Sequence, residues 1–360
     1  MAYVIYVILA AGDLRNFAEF GGIWPFGRKL VILHLVKKLL SISLAALALL
    51  GACGSKSDKD SATAQAAADS PAPLADAPAF SADSAYSFVE RQVAYGPRVP
   101  GSEAHTRTAQ WLASQLRGRG AETTVQEADL KAFDGTVLHA RNIFGRFAPE
   151  NPRRVLLLAH WDSRPWADND PDPANHTKPV PGANDGASGV GVLLEMARLL
   201  QQKQPAVGVD ILFVDAEDYG TDGDDLSWAL GARHFVENPP VEGYAPEAVV
   251  LLDMVGGKDA RFAREQFSAY YAPGLLNSVW AAAERVGESA RFTNEIGGMI
   301  TDDHREFQNA GLQAIDIIEY CPDTGFNPLW HTLADDMSGI SAETLGAVGR
   351  VVTEWLYSQK

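Results

Sequence analysis

Cysteine is almost missing from this sequence: Cys53 and Cys321 are the only two in 360 residues, which excludes a disulfide framework. Basic residues are also in deficit. Thirty Lys and Arg against 46 Asp and Glu leave a formal charge of −16; non-specific nucleic-acid binding needs a basic face to neutralise phosphates, so that class is argued against. Neither a Gly-x-Gly-x-x-Gly nor a P-loop pattern occurs, and there is no internal repeat. No apolar stretch reaches the about 20 residues of a spanning helix. What is present is 46% hydrophobic residues, enough for a sizeable core, with glycine and proline too frequent for a coiled coil and too irregular for collagen.

Residues 39–50 form an apolar run behind Lys37 and Lys38, and Gly51-Ala52-Cys53 follows it. A basic start, an apolar centre and small residues at the cut describe a secretory signal. The ending Leu50-Gly51-Ala52-Cys53 resembles a bacterial lipobox, so residues 1–53 are expected to be targeting sequence and Cys53 the lipidated mature N-terminus. That implies a lipid-anchored protein of the bacterial cell envelope, on the periplasmic side of the outer membrane or at the cell surface. Residues 1–35 fit no part of a signal, and a start further downstream, such as Val36, is expected. Cys321 then has no partner. Residues 54–79 are mostly Ala, Ser, Asp, Lys and Pro, too poor in apolar surface to offset ordering entropy, and read as a flexible tether. A single folded domain is expected over 80–360.

Within it, apolar spacing predicts helices over 84–95, 103–117, 189–200, 228–236 and 341–357. Short strand-like runs lie at 123–127 and 141–147. Continuous apolar runs at 154–159, 209–214 and 248–252 read as buried strands, with a fourth at 313–318. Buried strands alternating with helices predict an α/β fold: three layers, α/β/α, around a central mixed, mostly parallel sheet.

Each strand end is polar in the same way. The run at 154–159 leads into His160-Trp161-Asp162-Ser163, that at 209–214 into Asp215-Ala216-Glu217-Asp218, and that at 248–252 into Asp253. Gly182-Ala183-Asn184-Asp185 precedes a helix, and Asp302-Asp303-His304 and Trp330-His331-Thr332 come later. One such carboxylate is often only a helix cap, and a lone histidine is commonly a satisfied surface residue. Several at one sheet edge are different, because buried negative charges need a cation to offset them. Carboxylates with imidazole and no paired cysteines suit zinc in an open catalytic site.

The order and spacing of these motifs resemble the zinc exopeptidase superfamily and, within it, the animal-type glutaminyl-peptide cyclotransferases. The resemblance opens at Pro97-Arg98-Val99-Pro100-Gly101-Ser102, includes Leu251-Leu252-Asp253-Met254-Val255-Gly256, and runs to the C-terminus. It implies one zinc per chain on Asp185, Asp218 and His331, with Glu217 as general base. It assigns Asp302 and Asp253 to the leaving group as a hydrogen-bonded acid pair and Trp330 to the substrate pocket. The implied substrates are peptides or proteins with N-terminal glutamine, cyclised to pyroglutamate with loss of ammonia. A two-zinc aminopeptidase would add a second metal on His160, Asp185 and Asp253, and a non-catalytic peptidase-like binding module is a third reading. The sequence departs from the cyclase pattern in Asp218, where a glutamate is usual, and in Asp316, where the animal enzymes carry a histidine. Trp228 reads as core or as a second pocket aromatic, His304 as a hydrogen-bonded structural residue, and Cys321 as a small buried apolar residue.

Overall fold

The structure is a computed structural model and describes residues 74–360. The targeting region with Cys53, and the tether up to residue 73, lie outside the described residues. Residues 74–81 have no regular structure. Even so, the Ala75 N–H donates to Glu354 Oε2 at 2.9 Å and Lys203 pairs with Asp76 at 2.6 Å. No helix among the described residues is long and apolar enough to cross a membrane.

Two helices open the domain, α1 (Ala82–Val93) and α2 (Glu103–Gly118), each started by a serine whose hydroxyl accepts a backbone N–H: Ser81 from Ser84, Ser102 from His105. A long hairpin follows, β1 (Glu122–Lys131) and β2 (Val137–Phe147). Then β3 (Arg154–His160), α3 (Ala187–Gln202), β4 (Gly208–Val214), α4 (Leu230–Glu237) and β5 (Ala248–Asp253) alternate. The remainder comprises β6 (Phe262–Arg264), α5 (Gln266–Tyr271), α6 (Pro273–Arg285), β7 (Phe292–Ile296), α7 (Asp303–Asn309), β8 (Ala314–Ile318), the short pair β9 (Tyr320–Cys321) and β10 (Gly325–Phe326), and α8 (Ala342–Tyr357).

The central sheet has the order β1-β2-β4-β3-β5-β8. The pairings β4–β3, β3–β5 and β5–β8 are parallel, and β1–β2 and β2–β4 antiparallel. The fold is the expected mixed α/β architecture with helices on both faces. Side chains alternate across each strand, so Leu157, Ile211, Val250 and Ile317 join one core with α1, α2, α3, α6 and α8. Leu156, Leu212 and Leu251 face the other, against Phe235 of α4 and Phe307 of α7. Every residue of β3, β4 and β5 is buried, which is why these strands are continuous apolar runs.

The hairpin is longer than expected, because its outer edge alternates with polar residues that mask the strand signal. Helix α4 starts two residues later than expected, since Ala229 takes a left-handed φ of 55°. Helices α5, α6 and α7 were not expected from the sequence. For the site, the decisive point is the chain order: β3 connects to β4 on one side and β4 then to β5 on the other. That reversal opens a crevice at the carboxyl edge, where open α/β sheets bind ligands.

Candidate metal centre and active site

The chain turns sharply where each central strand meets this edge. Gly186, following Asp185, lies so close to β3 that a Cβ would strike the carbonyl oxygen and the ring of His160. Beyond β4, Asp162 accepts the backbone N–H groups of Glu217 and Asp218, both at 3.3 Å. These turns bring Asp185, Asp218 and His331 together, with one ligand atom from each within 4.8 Å of the others. His331 Nε2 is 3.2 Å from Asp218 Oδ1 and 3.7 Å from Asp185 Oδ2. Its Nδ1 lies 3.5 Å from Asp168 Oδ1; a carboxylate there orients a ligating imidazole and leaves Nε2 free for a metal.

A second triad shares Asp185. His160 Nε2 is 2.9 Å from Asp185 Oδ1 and 3.2 Å from Asp253 Oδ1, and its Nδ1 is 3.4 Å from Asp162. Burial alone would lower the His160 pKa, but the Asp162, Asp185 and Asp253 carboxylates outweigh it and raise it well above the usual imidazole range. Asp302, His304 and Asp316 form a third buried group.

A cavity of about 340 Å³ opens onto the first triad, and Glu217, Asp253, Asp302, Trp228 and Trp330 line it. His160 is not among its lining residues. Burial, then the negative charge of Asp302, raises the Glu217 carboxyl well above its ordinary range. Burial, then Asp253, pushes Asp302 up to about 7. Trp330 stacks on His331 with ring centroids 3.7 Å apart, and the Trp228 ring lies 6.2 Å from the imidazole, 16° from parallel with it.

Several details differ from expectation. The hydrogen bond expected between Asp253 and Asp302 is replaced: Asp253 Oδ1 takes the His160 contact, and Asp302 Oδ1 accepts the Asp303 N–H at 2.5 Å. An imidazole can donate a hydrogen bond to a buried carboxylate, whereas two ionised carboxylates only repel one another. Asp302 Oδ2 is left without a hydrogen-bond partner. Trp228 is a cavity residue. Cys321 is exposed, because it sits on the short β9–β10 hairpin and not in the core. His304 is fully buried without a hydrogen bond at either nitrogen, 3.3 Å from Glu265.

Sequence reasoning missed the residues that hold the ligands in place. Arg164 donates to Asp218 Oδ1 at 3.3 Å and pairs with Asp168. Asp335 accepts the N–H groups of Asn184 at 2.7 Å and Asp185 at 3.2 Å; burial and the nearby Asp185 charge push its carboxyl up to about 8. Arg98 is fully buried and donates to the carbonyls of Trp161, Pro181 and Gly182, clamping both ends of the 164–181 loop. For Arg98 alone a signal existed, its place in the Pro97–Ser102 motif.

Residues 142–356 match the model of peptidase family M28. The chain belongs to peptidase family M28. Among solved structures, the glutaminyl cyclase of Bacteroides thetaiotaomicron, with N-acetylhistamine bound, is 49% identical and superposes with a TM-score of 0.78, covering 79% of this chain and 100% of that one. A Zn-dependent exopeptidase from Parabacteroides distasonis is 51% identical with a TM-score of 0.77, at 79% and 100% coverage. Among curated relatives, aminopeptidase YwaD of Bacillus subtilis is 33% identical over 250 residues, which is 66% of this chain. This M28 chain spans only 48% of that relative's length.

Proposed function

We propose that this M28 protein is a glutaminyl-peptide cyclotransferase, converting N-terminal glutamine of peptides or proteins to pyroglutamate and releasing ammonia, with one zinc ion per chain. Its 49% identity to a bacterial glutaminyl cyclase, over 79% of this chain and the whole of that one, supports the reaction class. The observation that carries the choice against peptide hydrolysis is Asp302, a buried carboxyl that lines the cavity with Glu217 and Asp253 and belongs to neither of the two triads that share Asp185. Hydrolysis by two metals and one base has no task for it.

The donor set fits zinc. Two carboxylates and an imidazole, all buried, line the cavity as three ligands, the number that leaves a fourth position for substrate. A zinc ion held by Asp185, Asp218 and His331 would supply a Lewis acid for the γ-carbonyl of the glutamine. Glu217 takes a proton from the α-amine as the bond from that nitrogen to the γ-amide carbon forms. It returns the proton to the amide nitrogen as the carbon–nitrogen bond breaks and ammonia departs. Asp302 and Asp253 hydrogen-bond the leaving nitrogen. Trp330 and Trp228 wall the pocket and keep out the water that would divert the reaction to hydrolysis.

The second triad, His160–Asp185–Asp253, and the similarity to an aminopeptidase favour a two-zinc aminopeptidase as the alternative. Metal analysis with product mass from a glutaminyl dipeptide separates the two. One zinc per chain, ammonia and a pyroglutamyl product support the cyclase; two metal ions and free glutamine establish the aminopeptidase; neither product leaves a binding module. The proposal includes a lipid anchor at Cys53, checked by Cys53→Ser: unchanged membrane association of that variant would overturn it.

A further inference from the structure

Large apolar residues are exposed at few places in the described chain, and half of them gather in one. Tyr270 is 78% exposed, Met299 68%, Ile296 55% and Tyr271 45%. With Gln266, Phe267 and Ala269 they line a groove of about 550 Å³. Single exposed apolar side chains are ordinary, but a contiguous set marks a binding surface. Met299 lines this groove and the active-site cavity alike, so the two adjoin at that side chain.

The groove is built and held. The Arg305 guanidinium lies 3.8 Å from the Phe267 ring centroid and 4.9 Å from that of Tyr271. Tyr270 meets Tyr271 edge-on at 4.9 Å. Gln266 ties α5 to the 297–299 segment, its side chain donating to Gly297 O at 2.7 Å and its N–H to Gly298 O at 2.9 Å. Elsewhere on the cavity wall stand Asp222 and Asp225, both exposed carboxylates.

A substrate whose first residue fills the cavity must lead its remaining chain out through the mouth. We propose that this groove seats the residues that follow the N-terminal glutamine, and that the protein prefers large apolar side chains there. The inference rests on the cyclase reading and deepens it by naming the substrate class. Acidic peptides are disfavoured, because the Asp222 and Asp225 carboxylates repel them at the mouth.

The test compares ammonia release by the full chain from Gln-Phe-Phe-amide, Gln-Ser-Ser-amide and glutaminamide, which has no following residue. The wild type is expected to favour the phenylalanine peptide over the serine peptide by about tenfold in kcat/KM, as apolar-pocket discrimination commonly does. In Tyr270→Ser/Ile296→Ser, both sites exposed and outside the cavity lining, that preference should collapse while glutaminamide turnover stays the same. Equal kcat/KM for the two peptides in the wild type, or a preference the double variant retains, overturns the groove assignment and leaves the cyclase reading standing. No ammonia from glutaminamide or either peptide overturns the cyclase reading itself. Sedimentation of both proteins completes the test: a wild-type dimer that the double variant converts to monomer makes the groove an interface between copies, against the proposal.

Discussion

The two edges of the central sheet treat buried acid in opposite ways. At the amino edge, Asp210 is fully buried and answered from within the chain: Arg154 donates to both its oxygens, Tyr244 donates at 2.8 Å, and Arg146 lies 3.7 Å away. At the carboxyl edge, Asp185, Glu217, Asp218, Asp253 and Asp302 crowd one cavity. Arg164 is the only arginine that reaches these side chains among the described residues. A buried charge persists only when paired, so acid balanced by arginine reads as architecture, whereas acid gathered beyond the chain's own cations reads as a site for an added one.

Breaking the carboxyl edge should have the largest effects. Asp218→Ala or His331→Ala should remove zinc and turnover together, read by metal analysis and ammonia release. Glu217→Gln keeps the shape and loses the base, so zinc should stay while turnover falls by roughly 10²–10⁴-fold. Asp302→Asn should retain zinc, slow turnover and move the pH profile. The base must be ionised, so kcat/KM rises with pH through the raised pKa of Glu217. That elevation comes first from burial and then from the Asp302 charge; neutralising Asp302 removes the like charge and should shift the acidic limb to lower pH. An unmoved limb would separate the two carboxyls.

Smaller changes sharpen the contrast. Asp168→Ala, which removes the carboxylate behind His331, should weaken zinc binding by about 10–100-fold, measured by competition with a chelator. His160→Ala should leave the zinc count unchanged; loss of one of two metal ions would establish the aminopeptidase. Least of all, Tyr244→Phe at the amino edge should cost about 1–2 kcal/mol of stability, seen as a lower Tm, with zinc content and turnover intact.

Much of this was legible along the chain. Strands buried on both faces, such as 154–160 and 208–214, are apolar without interruption because helices cover both sides. The polar residues directly after them fall at the sheet's carboxyl edge because parallel strands end on the same side. Among those strand ends and the later motifs, Asp185, Glu217, Asp218, Asp253, Asp302, Trp330 and His331 were singled out by the family resemblance, and all of them line one cavity. Other features depend on contacts between distant segments. Asp335 meets the backbone of Asn184 across 151 positions, and Arg98 closes a loop 83 residues downstream. Asp253 pairs with His160 instead of Asp302 because the β3–β5 register sets their strand ends side by side. The peptide groove arises where α5 and the end of β7 meet, neither of which carries a periodic apolar signal of its own. Local spacing determines which face of an element a residue occupies; which residue it meets there is decided by the order and register in which the elements pack.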